Sequence, residues 1–121
     1  MLLGHVRDYA AHVLLTLPGE QGELKVECVI DTGFEGDLAL PRSVVMKLDR
    51  VSPYETRSFA LADGTLRELS ICFTELEWND EPRTAEVLVL KGRPLLGMVL
   101  MDGFYIGIDA RNGGEAVIEQ R

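Results

Sequence analysis

Basic residues are scarce in this chain: twelve Lys and Arg stand against twenty Asp and Glu, a net charge of −8. Such a field repels phosphate backbones and anionic headgroups, so no nucleic acid and no membrane surface is expected as a partner. Metal-ligating side chains are also few, with two cysteines (Cys28 and Cys72) and two histidines (His5 and His12). There is no CxxC pair, and neither histidine has a Cys or carboxylate at ligand spacing. No metal and no cofactor is expected, and both histidines read as surface residues. The cysteines admit a Cys28–Cys72 disulfide, but two buried thiols in a reducing compartment is the favoured reading. Long apolar runs are missing too. Pro94 to Met101 is too short to cross a bilayer, and Met1-Leu2-Leu3-Gly4 soon meets Arg7 and Asp8, which leaves no signal-peptide core. A soluble cytoplasmic protein is expected.

What remains is ordinary globular composition, 46% hydrophobic and 26% charged over 121 residues. That length fits one domain, residues 1–121, able to bury about two-thirds of its unfolded surface.

The chain reads as short strands punctuated by turn residues. Leu24, Val26, Cys28 and Ile30 alternate with Lys25, Glu27, Val29 and Asp31, the period of a half-buried strand. Val13 to Leu17 precedes it across a Pro18–Gly22 loop, so the two pair antiparallel. Leu38-Ala39-Leu40 is a short buried strand, and Pro41 opens a two-turn helix over Arg42 to Leu48. Phe59-Ala60-Leu61 and Leu66 to Phe73 flank Ala62-Asp63-Gly64-Thr65, where Asp-Gly signals a hairpin with both turn positions at positive φ. Leu69, Ile71 and Phe73 are odd and Leu76 and Trp78 even, a phase change that implies a β-bulge at Thr74-Glu75. Asn79 to Pro82 turns the chain into a strand over Thr84 to Leu90. Pro94 then opens a second short helix through Met101, stopped at Gly103. Phe104 to Ile108 and Ala116 to Ile118 are strands joined by a turn at Asn112-Gly113. A mostly β fold with one or two short helices results.

One tripeptide carries chemistry. Asp31-Thr32-Gly33 directly follows an apolar strand and precedes a Gly-containing turn and the buried Leu38-Ala39-Leu40. The tripeptide alone is weak, since an Asp ending a strand is usually an Asx-turn residue. Its setting raises it. Val29-Ile30-Asp31-Thr32-Gly33-Phe34 resembles the active-site loop of retropepsin-like aspartic peptidases, in the bacterial and archaeal form with Phe34 after the Gly. Two further segments agree in order: Asp63-Gly64 stands where that family has its flap, and Leu95-Leu96-Gly97-Met98 resembles the stretch that crosses beneath the active-site loop. The likeness spans roughly residues 10 to 119.

The resemblance implies a homodimeric, retropepsin-like half-barrel and an endopeptidase acting on protein or peptide. It also implies roles. Asp31 is the catalytic carboxylate, with Thr32 locking the loop across a twofold axis, Gly33 allowing its turn and Phe34 completing it. Ala62, Asp63, Gly64 and Thr65 form the flap, and Leu95, Leu96 and Gly97 support the loop. Such chemistry needs two carboxylates sharing a proton, and no second DTG follows, so a second chain must supply the other. The terminal segments Val6 to Tyr9 and Val117 to Gln120 are expected to be the pairing edges. Asp102 and Asp109, the other candidate partner acids, read as solvated strand-end residues. An Asp nucleophile taking phosphate lacks the phosphate loop and basic cluster it would need. The alternative from another class is a catalytically silent dimer of the same fold that binds a peptide or protein.

Overall fold

The computed structural model describes residues 1–121 and builds ten strands and one short helix. In chain order these are β1 (Leu2–Arg7), β2 (Ala10–Gly19), β3 (Gly22–Ile30), β4 (Leu38–Leu40), α1 (Arg42–Val45), β5 (Glu55–Ala60), β6 (Leu66–Trp78), β7 (Glu81–Val89), β8 (Leu95–Leu96), β9 (Phe104–Ile108) and β10 (Glu115–Gln120). All ten join one sheet in the order β5-β6-β7-β4-β8-β3-β2-β1-β10-β9. Most neighbours are antiparallel hairpin partners; β3 with β8 and β4 with β7 run parallel.

Left-handed turn residues set the hairpin registers. Asp8 and Tyr9, at φ 51° and 63°, close the Arg7–Ala10 pair, and Asn79 and Asp80, at 53° and 65°, close Trp78–Glu81. Positive φ at two adjacent positions matches the right-handed twist of the flanking strands. The turn expected over Asn79–Pro82 is therefore two residues long, with Glu81 and Pro82 already in β7.

The main core lies on one face of the sheet and gathers Val13, Leu15, Val26, Cys28, Leu38, Leu40, Cys72, Leu76 and Leu96. A smaller cluster on the other face gathers Ala39, Ile71 and Leu88, with Phe34, Phe59, Leu69, Phe73 and Leu95 packed around it. These two cores correct the bulge expected at Thr74-Glu75. The β6–β7 register runs unbroken from Ile71–Leu88 to Trp78–Glu81. Even residues Cys72, Leu76 and Trp78 face the main core along the strand, while odd residues Leu69, Ile71 and Phe73 face the small one. The apolar phase changes because a straight strand passes between two cores.

Neither expected helix forms over its expected length. The first holds only Arg42–Val45 before turns take over. The second is absent: Leu95 and Leu96 form β8, wedged between β3 and β4, and tight turns follow to Gly103 at φ 86°. Both cysteines are buried free thiols, so the disulfide does not form. Burial pushes the Cys28 thiol up to about 12 and raises Cys72 as well. No helix is long and apolar enough to cross a membrane.

The terminal strands correct the expected pairing edges. β1 is bonded to β2 and β10, and β10 to β1 and β9, so both already have partners on each side within the chain. The free edges of the sheet are β5 and β9.

Candidate active site

Asp31 stands one residue beyond β3, where the chain leaves the sheet, loops over residues 31–37 and returns as β4. Between these strands lies β8, with Val29 beside Leu95, Ile30 beside Leu96, and Leu38 opposite Leu96. The loop therefore crosses directly over the end of Leu95-Leu96-Gly97. Backbone hydrogen bonds stitch the two together. Asp31 donates its N–H to the Leu96 carbonyl at 2.9 Å, and Gly97, Met98 and Val99 donate to the carbonyls of Asp37, Phe34 and Gly36 at 2.9, 2.9 and 3.1 Å.

Close approach explains the glycine. A Cβ on Gly97 would overlap the Gly36 carbonyl oxygen and lie 2.7 Å from the Phe34 ring. A Cβ on Gly36 would meet the same ring at 2.6 Å. Phe34 is thus the lid of the small core, packed over both glycines. Gly33 has a different part. Its φ is not left-handed, so the turn does not demand it; its N–H donates to Asp31 Oδ1 at 3.0 Å and fixes the carboxylate. Thr32 is exposed, its hydroxyl free to reach beyond the chain.

Two residues of this constellation escaped the sequence reading. Asp37, its side chain only 12% exposed, accepts the Glu86 N–H at 2.9 Å through Oδ2 and faces Arg83 at 3.6 Å. Arg83 in turn donates to the carbonyls of Leu100 and Val99 at 2.9 and 3.1 Å. Together they clamp the loop, β7 and the turn after Gly97 into one block. An acid just before a wholly buried strand, as in Asp37-Leu38-Ala39-Leu40, is the available signal, because such a carboxylate must find donors.

The half-buried Asp31 side chain lines a groove of about 700 Å³. Val29, Ile30, Tyr9, Arg93 and Ile108 are among its other walls. The hairpin residues Ala62, Asp63, Gly64 and Thr65 are all exposed and do not line this groove. Their turn is closed by Gly64 N–H to the Leu61 carbonyl at 2.9 Å and Leu61 N–H to the Thr65 carbonyl at 2.8 Å. Gly64 alone is left-handed, at φ 85°, so this is a three-residue loop and not the two-residue turn expected. Asp63 Oδ1 accepts both the Thr65 hydroxyl and N–H, which holds its carboxyl below the usual range.

Asp109 pairs with Arg111 at 2.8 Å, as befits a solvated acid. His12 corrects its surface reading. It is 4% exposed, opposite His5 in the β1–β2 register, and the two rings stack with centroids 6.1 Å apart. Beside them Arg7 pairs with Glu27, and the bond lowers the Glu27 carboxyl. No group of three or more His, Cys, Asp or Glu is placed to hold a metal.

No family model matches the chain, and neither does any curated protein. Among solved structures it is similar to a crystal structure of a retropepsin-like aspartic protease from Rickettsia conorii, with a TM-score of 0.56, 21% identity and 97% of each chain covered. At that identity the likeness fixes the fold. The architecture is retropepsin-like.

Proposed function

We propose that this retropepsin-like chain is a homodimeric aspartic endopeptidase in which Asp31 of each copy supplies half of a carboxylate pair. The observation that carries the reading is the placement of Asp31. Its backbone N–H is bonded to β8, its side chain keeps one oxygen on the Gly33 N–H, and it lines a groove of about 700 Å³. Two such carboxylates about 3 Å apart cannot both ionise, so the pair holds a single proton. The ionised oxygen removes a proton from water as it attacks a peptide carbonyl, and the protonated one donates to the carbonyl oxygen. As the tetrahedral intermediate collapses, the C–N bond breaks, the proton taken from water passes to the leaving amine, and the other carboxylate recovers its proton from a hydroxyl of the gem-diol. The hairpin at Ala62–Thr65 closes over an extended substrate and sheds water. Activity peaks below neutrality, where one proton sits on the pair, and the apparent pKa values belong to the pair.

The test is digestion of unfolded protein substrates from acidic to neutral pH, with wild type and Asp31→Asn purified identically. At dilution, the rate per chain rises with protein concentration if two chains build the site. Cleavage lost in Asp31→Asn supports the reading. Equal cleavage by both proteins removes Asp31 from the chemistry, and no cleavage by either, over many substrates, leaves the peptide-binding alternative.

A further inference from the structure

The groove that Asp31 lines is walled mainly by apolar side chains, Val29, Ile30 and Ile108 among them, yet two arginines also line it. Their situations differ. Arg111 is claimed by Asp109, which accepts its Nε–H at 2.8 Å. Arg93 is exposed and forms no ion pair within the chain, not even with Asp8 in the same groove. Its guanidinium donates no hydrogen bond either. Acids outnumber bases twenty to twelve, and Arg7, Arg57 and Arg83 have each found one within the chain. Arg93 keeps its whole fork of donors unused.

The base of that fork is fixed. Pro94, the next residue, accepts the Val29 N–H at 2.9 Å, and Leu95 pairs with Val29 in the sheet. A residue before proline is confined to extended backbone, so Arg93 has little freedom except in its side chain. It therefore stands one residue from a segment bonded to β3, the strand that delivers Asp31. A groove of about 700 Å³ is on the order of 9 Å across, a span that an extended chain covers in about three residues.

A free guanidinium in an apolar groove selects planar anions, because a carboxylate meets its fork with two parallel N–H···O bonds. The net charge of −8 does not oppose this at close range, since exposed charges beyond about 8 Å are screened at physiological salt. When a substrate fills the groove and displaces water, the local attraction strengthens.

We infer that Arg93 is a specificity-determining residue: it receives a substrate carboxylate, from an acidic side chain or a chain end, within about three residues of the bond that is cut. The inference deepens the paired-Asp31 reading and rests on it for the cleavage, while the recognition needs only the groove.

The probes are short peptides with a blocked N-terminus, uncharged except for one Glu, Gln or Lys placed in turn at every position. Each is made with a free and with an amidated C-terminus. Both kcat/KM and binding by fluorescence anisotropy are measured on wild type, Arg93→Met and Arg93→Glu. Arg93 bonds to nothing within the chain, so the melting temperatures of both variants should match wild type. Wild type is expected to favour Glu over Gln roughly tenfold at a position near the cut. That ratio should fall to about one in Arg93→Met, and Lys should become the preferred residue in Arg93→Glu. A preference lost on amidation, and not on Glu→Gln exchange, assigns the carboxylate to the chain end. Cleavage indifferent to both changes, or a preference that survives Arg93→Met, overturns the role of Arg93 and leaves the peptidase reading standing. Rates that fall alike on every peptide in Arg93→Met overturn it too, since they place Arg93 in the fold or assembly. Arg93-dependent binding of the Glu peptides without cleavage supports the role and counts against the peptidase reading. Peptides neither bound nor cut overturn both.

Discussion

The loop that carries Asp31 and the hairpin at Ala62–Thr65 are both short, polar and glycine-containing, yet the structure holds them in opposite ways. The Asp31 loop lies over β8, with four backbone bonds to it and its continuation, the Asp37–Arg83 clamp behind it and Phe34 packed into the small core. The hairpin tip bonds only to itself and grows from β5, an edge strand whose residues are nearly all exposed. On the proposed paired-carboxylate reading, Asp31 needs an immobile mount, because misplacement at a reacting centre costs rate steeply. A cover over a cleft needs the reverse, few buried contacts and a low cost of opening. Glycine serves both: at Gly97 it lets two segments of backbone touch, and at Gly64 it lets one turn left-handed.

The largest effect should come from the mounted charge. Asp31→Asn keeps an oxygen to accept the Gly33 N–H, so the loop and the melting temperature should change little. Turnover of an unfolded protein substrate should fall about a thousandfold or more, since an amide can neither hold nor give up the shared proton. Substantial activity in this variant would mean that the rigid loop is scaffolding and the chemistry lies elsewhere.

Next comes the mount itself. Gly97→Ala drives a methyl into the Gly36 carbonyl and the Phe34 ring, neither of which can move without lifting the loop from β8. A loss of about 3 kcal/mol is expected, read as a lower urea midpoint with an unchanged slope. A loss under 1 kcal/mol would show the loop to be far softer than its bonds suggest.

A smaller effect reports on the strand that feeds Asp31. Cys28 lies on β3 in the main core, and burial raises its thiol from an unfolded value of 9.0 to about 12. Between those values the unfolded chain has released its proton and the folded chain has not. Stability is therefore untouched by this group below pH 9 and falls as pH rises above it, by about 1.4 kcal/mol at pH 10. Urea titrations of wild type and Cys28→Ala across this range should converge as pH rises, and native Cys28 should resist alkylation until the protein unfolds. Prompt labelling of the native thiol would mean that β3 opens locally, against the rigid side of the comparison.

Features made by neighbours in sequence were readable from the chain. Asp31-Thr32-Gly33 after an alternating strand, Asp63-Gly64 between two strands, and Leu95-Leu96-Gly97 each carry a local signature of turn chemistry or apolar run. Features made by distant residues were not. The change of phase along Leu69 to Trp78 looks like a bulge until the second core, assembled from Phe34, Ala39 and Leu88, supplies a reason for the odd face to be apolar. The stretch after Pro94 has helical apolar spacing, but its N–H groups are claimed by the Asp31 loop, which lies some sixty residues earlier. Asp37 and Arg83 are unremarkable acids and bases until the fold brings them to 3.6 Å. The termini looked like free β-prone ends because nothing local tells Leu2–Arg7 that Glu115–Gln120 will pair with it.

The smallest expected effect belongs to the hairpin and bears on the mobile side of the comparison. A Cβ on Gly64 meets nothing within 4 Å, so Gly64→Ala is opposed only by its φ of 85°. The backbone cost is about 1 kcal/mol. Because the tip opens without disturbing either core, that cost should be spread between local opening and global unfolding, and the urea midpoint should move less than in Gly97→Ala. Hydrogen exchange separates the two. Amides of Phe59 to Leu66 should be the least protected among the strands in wild type, since their bonds are solvent-exposed and belong to an edge hairpin, and less protected still in Gly64→Ala. A peptide-like ligand that occupies the Asp31 groove should slow exchange there by closing the hairpin over itself. Exchange at Phe59 to Leu66 as slow as at Val26 to Ile30, or unmoved by a tightly bound ligand, would make the hairpin a structural arm and leave the groove without its cover.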